Sequence, residues 1–257
     1  MDNEGKDLKK RKSILMDLWN DIITMWENNS QKVTRQYIIE RLKNEYNKEK
    51  ISPIKGASDP KDIFDKEMAS LYVLGKYGMG FEVQYPDLFD SIFGQEIKMD
   101  QVNEILLSDN LDGVKDKILA IVGDINGNSI AKIMRLGLTK EYFGFIDQKT
   151  VVKLSESLRK AFPEQKNEVN KYMRFYAAFK ISKAIDDGIV RNRITKEALK
   201  QALAIELNID KKQMPRDKYI IKIATDVFNI PQKVLKRVFI YNQTKKFDNK
   251  KGRNDKN

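Results

Sequence analysis

The sequence predicts an all-α fold: a bundle-like body of many helices, with a helix-turn-helix-like element near the C-terminus and a disordered basic tail. Three observations carry this expectation. Apolar residues recur at intervals of three and four almost everywhere, and helix-starting residues precede most of these runs. The strict alternation that marks strands is nearly absent, Gly80 to Gln84 being one of the few short candidates.

The first helix follows from Ile14, Leu15, Leu18, Trp19, Ile22, Ile23 and Trp26, one broad apolar stripe with Asp17, Asn20, Asp21 and Thr24 off it. The polar interruptions make the segment neither a signal peptide nor a membrane span. Thr34 stands where an N-cap belongs, ahead of Tyr37, Ile38, Leu42 and Tyr46, because its hydroxyl can accept from a first-turn N–H. Asp59 followed by Pro60 opens a third helix through Phe64, Met68, Leu71 and Tyr72, proline being suited to the first helical position. Pro86, Pro163, Pro215 and Pro231 can start later helices in the same way. Asp147 can cap a helix from Gln148 to Phe162, and a further helix is expected over 164–187.

Charge divides the chain. Residues 151–257 hold 26 Lys and Arg against 12 Asp and Glu, a net +14, whereas residues 51–150 net −5. Excess concentrated in one half is the electrostatic footprint of a surface for a polyanion. The expected organisation is an acidic-to-neutral helical region at 1–147, a basic helical region at 148–241 and a tail at 242–257. The tail, NQTKKFDNKKGRNDKN, has one aromatic and six basic residues and cannot bury a face, so it is expected to be disordered until bound.

With no Cys and no His, thiol nucleophiles, Ser-His-Asp relays, Cys/His zinc sites and imidazole acid-base groups are all excluded. The expectation is therefore a protein without catalytic residues, cofactor or metal. The absence of cysteine fits a reducing cytoplasm.

The most specific motif is Ile221 to Ile240, IKIATDVFNIPQKVLKRVFI. A helix-turn-helix needs apolar residues at places 4, 8, 10, 15 and 18, here Ala224, Phe228, Ile230, Leu235 and Val238, so that two helices pack across a tight turn. It departs from the pattern in Thr225, where a small residue is usual, and in Asn229, where the turn glycine is usual. Its second helix would present Gln232, Lys233, Lys236 and Arg237, with Gln232 and Arg237 best suited to base edges. Lys245, Lys246, Lys250, Lys251 and Arg253 extend the basic surface into the tail, and Lys6, Lys9, Lys10, Arg11 and Lys12 do so at the front.

Other motifs have plainer readings. Gly75 to Gly80, GKYGMG, lacks a preceding strand and phosphate-loop spacing and reads as a helix C-cap and turn. Ile130 to Ile146 has a weaker helix-turn-helix cadence, with a turn at Leu136 to Leu138 and Thr139 as cap, but its surroundings are not basic. Asp124, Asn126 and Asn128 imitate the start of a calcium loop, yet Ser129 and Arg135 stand where Gly and Glu are needed. Carboxylate groups such as Asp62 with Asp65, and Asp109 with Asp112 and Asp116, are ordinary helix-start and surface patterns.

LMDLWNDII (Leu15 to Ile23), PIKGASDP from Pro53, DIFDKEMASLYVLGKYGMG and YPDLF, ending at Phe89, together resemble an uncharacterised family of archaeal, chiefly crenarchaeal, proteins of unknown function. The resemblance implies an archaeal cytoplasmic protein and supplies no functional residues. The leading functional expectation, from the residues themselves, is a non-catalytic nucleic-acid-binding protein. Structured RNA or the ribosome comes ahead of DNA, because the tails are Lys/Asn-rich, no dimerisation device appears, and phosphate contacts outnumber base readers. The alternatives are a DNA-binding helix-turn-helix regulator and a helical scaffold that binds protein through Trp19, Trp26, Tyr72, Tyr77 and Phe81.

Overall fold

The computed structural model describes residues 4–29, 33–48, 60–108, 112–190, 193–228 and 230–239. Among them are twelve α-helices and no strand. They are α1 (Glu4–Asn29), α2 (Arg35–Lys48), α3 (Pro60–Val73), α4 (Phe81–Gln84), α5 (Pro86–Leu107), α6 (Val114–Val122), α7 (Gly127–Tyr142), α8 (Gln148–Ala161), α9 (Lys166–Asp186), α10 (Arg193–Glu206), α11 (Asp217–Phe228) and α12 (Gln232–Phe239). The expected strand candidate at Gly80 to Gln84 is the short helix α4, opened by Gly80 in the left-handed region at φ 68°.

The start signals act as their chemistry requires. Thr34 Oγ1 accepts from the Tyr37 N–H at 3.2 Å, and Asp147 Oδ1 accepts from the Thr150 N–H at 2.8 Å. Asn126 Oδ1 accepts from the N–H groups of Asn128 and Ser129, so the calcium-like stretch is the N-cap of α7. Asp59 lies outside the described residues.

The chain forms two compact units, Met1–Tyr172 and Met173–Asn257. The division falls within α9 rather than at the change of charge near 147/148. Helix α8, which begins the basic region, packs on α5 and α7 in the first unit.

In the first unit α5 is the central helix, packed by α6, α7 and α8, with α3 on α7 and with α1 and α2 on α3. Its core is aromatic where α1, α3 and α5 meet. Trp19 is wholly buried, stacks on Phe89 at 5.3 Å and donates its indole N–H to the Leu71 carbonyl at 2.8 Å. That bond satisfies the one polar atom of a large apolar side chain. Trp19 and Tyr72, expected as groove residues in the scaffold reading, are therefore core residues.

GKYGMG does hold the left-handed end of its helix, at Gly80 (φ 68°) after the C-cap Met79, but α3 first continues through Leu74–Gly78 as a π-helix. Gly75 permits this by lying flush on Trp19 and Phe89: an added methyl would come within 2.9 Å of the Phe89 ring. The cadence at Ile130 to Ile146 holds no turn at 136–138, since α7 runs unbroken to Tyr142. Thr139 does not cap a helix but donates its hydroxyl to the Arg135 carbonyl. Gly137 instead lets α8 approach, with Leu154 Cδ2 only 2.5 Å from where a Cβ would stand.

The π-helix brings Lys76 and Tyr77 onto Asp100 of α5. The Tyr72 and Tyr77 hydroxyls donate to Asp100 Oδ2 at 2.9 and 2.7 Å, Lys76 Nζ lies 3.1 Å from the same oxygen, and Lys140 of α7 bonds to Oδ1. Asp100 is 1% exposed. Its burial disfavours charge, but Lys140, Tyr77 and Lys76 outweigh that and hold its carboxyl below the ordinary carboxylate range. Burial, reinforced by the same carboxylate, pushes both tyrosine hydroxyls up, so they stay protonated as donors. The network joins three helices through groups that satisfy one another.

The second unit comprises the rest of α9 with α10, α11 and α12. Ser182 donates to the Ile220 carbonyl at 3.1 Å and the Phe179 and Phe228 rings lie 5.3 Å apart, which fixes α11 on α9. Helix α12 packs on both α10 and α11.

Candidate nucleic-acid interface

Helices α11 and α12 realise the cadence of Ile221 to Ile240. Ala224, Ile230, Leu235 and Val238 are buried, while Phe228 is half-buried against Phe179. The Ile230 N–H reaches back to the Ala224 carbonyl at 3.1 Å, closing the end of α11. Pro231 then starts α12, its carbonyl accepting from the Val234 N–H at 2.9 Å. Thr225 does not obstruct the pairing: it is exposed and its hydroxyl donates to the Ile221 carbonyl of its own helix. Asn229 lies outside the described residues.

Helix α12 is sharply two-sided. Leu235, Val238 and Phe239 face inward, and Gln232, Lys233, Val234, Lys236 and Arg237 are exposed. At about 100° per residue, the three cations share a sector of about 100° centred opposite the buried stripe. Gln232 borders that sector on one side and Val234 on the other. Helix α11 adds Lys218 and Lys222, both exposed and one turn apart.

The helix is held in place by a lysine that sequence reasoning did not single out. Lys196 of α10 is 0% exposed, its Nζ 2.8 Å from Asp217 Oδ2 and 4.4 Å from the centre of the Phe239 ring. It thus ties α10 to both α11 and α12. Lys200 bonds the other oxygen of Asp217 at 2.6 Å. Burial would raise the Asp217 carboxyl, but the two lysines hold it below its ordinary value. The only sequence signal was Lys196 and Lys200 at i,i+4, which reads equally well as a solvated helix face.

Division into units sharpens the charge asymmetry. Residues 1–172 carry 27 Lys and Arg against 28 Asp and Glu, while residues 173–257 carry 21 against 9, a net of −1 and +12 respectively. Lys153, Lys160, Lys166 and Lys171 belong to the near-neutral unit, and Lys171 pairs with Glu168 at 2.8 Å. Of the expected site residues, Gln232, Lys233, Lys236 and Arg237 come together on one helix face. Lys245, Lys246, Lys250, Lys251 and Arg253, with the whole tail, lie outside the described residues, as do the side chains of Lys6, Lys9, Lys10 and Arg11.

In the first unit, two polar side chains that line one cleft are already engaged. In the cleft beside Met99, Glu96 takes a two-pronged bond from Arg35 at 2.8 and 2.9 Å, and Gln95 accepts from Lys132 at 3.2 Å. Among the described residues no group of three or more Asp and Glu converges as a metal site, and no helix is long and apolar enough to cross a membrane.

The family model described as "Uncharacterized protein conserved in archaea (DUF2192)" matches residues 6–239. The chain belongs to this archaeal family. The match covers most of both units and ends at Phe239, the last residue of α12, leaving out the tail. No curated protein and no solved structure matches the chain.

Proposed function

We propose that this protein binds nucleic acid without catalysis, through the basic second unit and above all through the exposed face of α12. The observation that carries this reading is the placement of Lys233, Lys236 and Arg237 directly opposite the stripe that docks α12. Cations so placed can meet phosphates without disturbing the packing beneath them. The concentration of the chain's net charge in the same unit supports it, because long-range attraction then steers a polyanion toward α12.

Structured RNA, the ribosome included, and duplex DNA both present the required phosphate density. The test is binding of the full chain to each by fluorescence anisotropy across a salt series. Affinity is expected to fall steeply with salt, and replacing Lys233, Lys236 and Arg237 with Gln is expected to make the log–log slope shallower by about 2 to 3. Absence of binding at low salt to both nucleic acids would refute the reading.

A further inference from the structure

Resting on the nucleic-acid reading, we infer that the target is B-form duplex DNA and that α12 enters its major groove. The sequence placed structured RNA first on the strength of its tails and of the excess of phosphate contacts over base readers. The geometry of α12 weighs the other way. A helix seated in a groove turns the crest of its exposed face to the groove floor and the flanks of that crest to the two phosphate strands. Here Lys233 lies at the crest, Lys236 and Arg237 stand about 60° and 40° to either side of it, and Gln232 and Val234 occupy the shoulders.

A crest of that form fits a groove that admits a whole helix. The major groove of B-DNA is about 12 Å wide, matching a helix with side chains of about 10–12 Å. The major groove of A-form RNA is too deep and narrow for side chains to read. The supporting helix agrees with this docking: Lys218 and Lys222 stand exposed on α11, the helix that crosses the backbone when its successor lies in the groove.

The exposed set also contains groups for reading bases. Gln232, at the first position of α12, can pair with both N6 and N7 of adenine, and Arg237 with O6 and N7 of guanine. Val234, next to Arg237 on the shoulder opposite Gln232, is 38% exposed, an apolar group of the kind that meets a thymine methyl. Lys196 sets the groove-facing helix from behind, as a positioning residue.

The experiment is a competition assay with the full chain against three probes of one mixed sequence: a DNA duplex of about two helical turns, the RNA duplex and the single RNA strand. It is followed by guanine-N7 methylation interference on the DNA. The DNA duplex is expected to bind at least about tenfold tighter than either RNA, and N7 methylation at defined guanines is expected to abolish binding. Gln232→Ala is expected to relax preference at one base pair by about tenfold, while Lys236→Gln weakens all DNA sequences alike. Both positions are exposed, and far-UV circular dichroism checks that each variant is folded. If either RNA binds as tightly as the DNA duplex, or N7 methylation has no effect, the groove inference falls and the nucleic-acid reading stands. If no probe binds at low salt, both fall together.

Discussion

Asp100 and Lys196 are each a buried charge that the surrounding residues must neutralise, one in each unit. Removing one partner of such a pair leaves the other desolvated and alone, which costs more than the pair contributes. Asp100→Asn leaves Lys140 facing a neutral amide, while Lys76 keeps Glu82 at 3.2 Å, and is expected to destabilise the first unit by about 3–5 kcal/mol in urea denaturation. The pH dependence has a definite sign. Because the folded carboxyl titrates below its unfolded value, its stabilisation is complete above about pH 5 and is lost as pH falls through the folded pKa. The gap between wild type and Asp100→Asn is therefore expected to narrow in acid, below about pH 4. In the second unit, Lys196→Ala removes both the ion pair and the cation over Phe239 and is expected to cost about 3 kcal/mol. Asp217 retains Lys200 in either variant, and Lys196→Met is expected to cost less because it keeps the apolar stem against Phe239.

Local start signals were the most legible part of the sequence, because capping is decided within four residues. Thr34 and Asp147 cap as their chemistry dictates, and Pro86 and Pro231 stand at or directly before helix starts. What eluded the sequence depended on partners far along the chain. GKYGMG has the composition of a turn, yet the turn comes only at Gly80, and Gly75 stays helical against the faces of Trp19 and Phe89. Gly75→Ala is accordingly expected to destabilise by about 1–3 kcal/mol through overpacking, as measured by thermal unfolding. Likewise 136–138 reads as a turn until α8 is seen to lie against Gly137. The α11–α12 pair was legible as a pair because its five apolar places fall within twenty residues, although Phe228 packs on Phe179 of α9. The sequence alone did not reveal Lys196 bracing that pair from behind.

At the scale of the molecule, the charge asymmetry is a property of the second compact unit rather than of the sequence half in which it was first visible. Helix α8 and the first turns of α9 carry lysines into the basic half of the sequence, yet they pack with a unit whose net charge is −1. Concentrating the net positive charge in 85 residues gives one unit a strong external field and leaves the other near neutral. The central claim is that this field is focused on a nucleic acid by the crest of α12. The measurement that tests it most directly is the salt dependence of nucleic-acid affinity for the full chain beside its Lys233→Gln, Lys236→Gln, Arg237→Gln variant. The account requires a steep linear fall of log affinity with log salt for the wild type, and a slope shallower by about 2 to 3 for the folded variant. Equal slopes for the two proteins, or no binding by either at low salt, would contradict it.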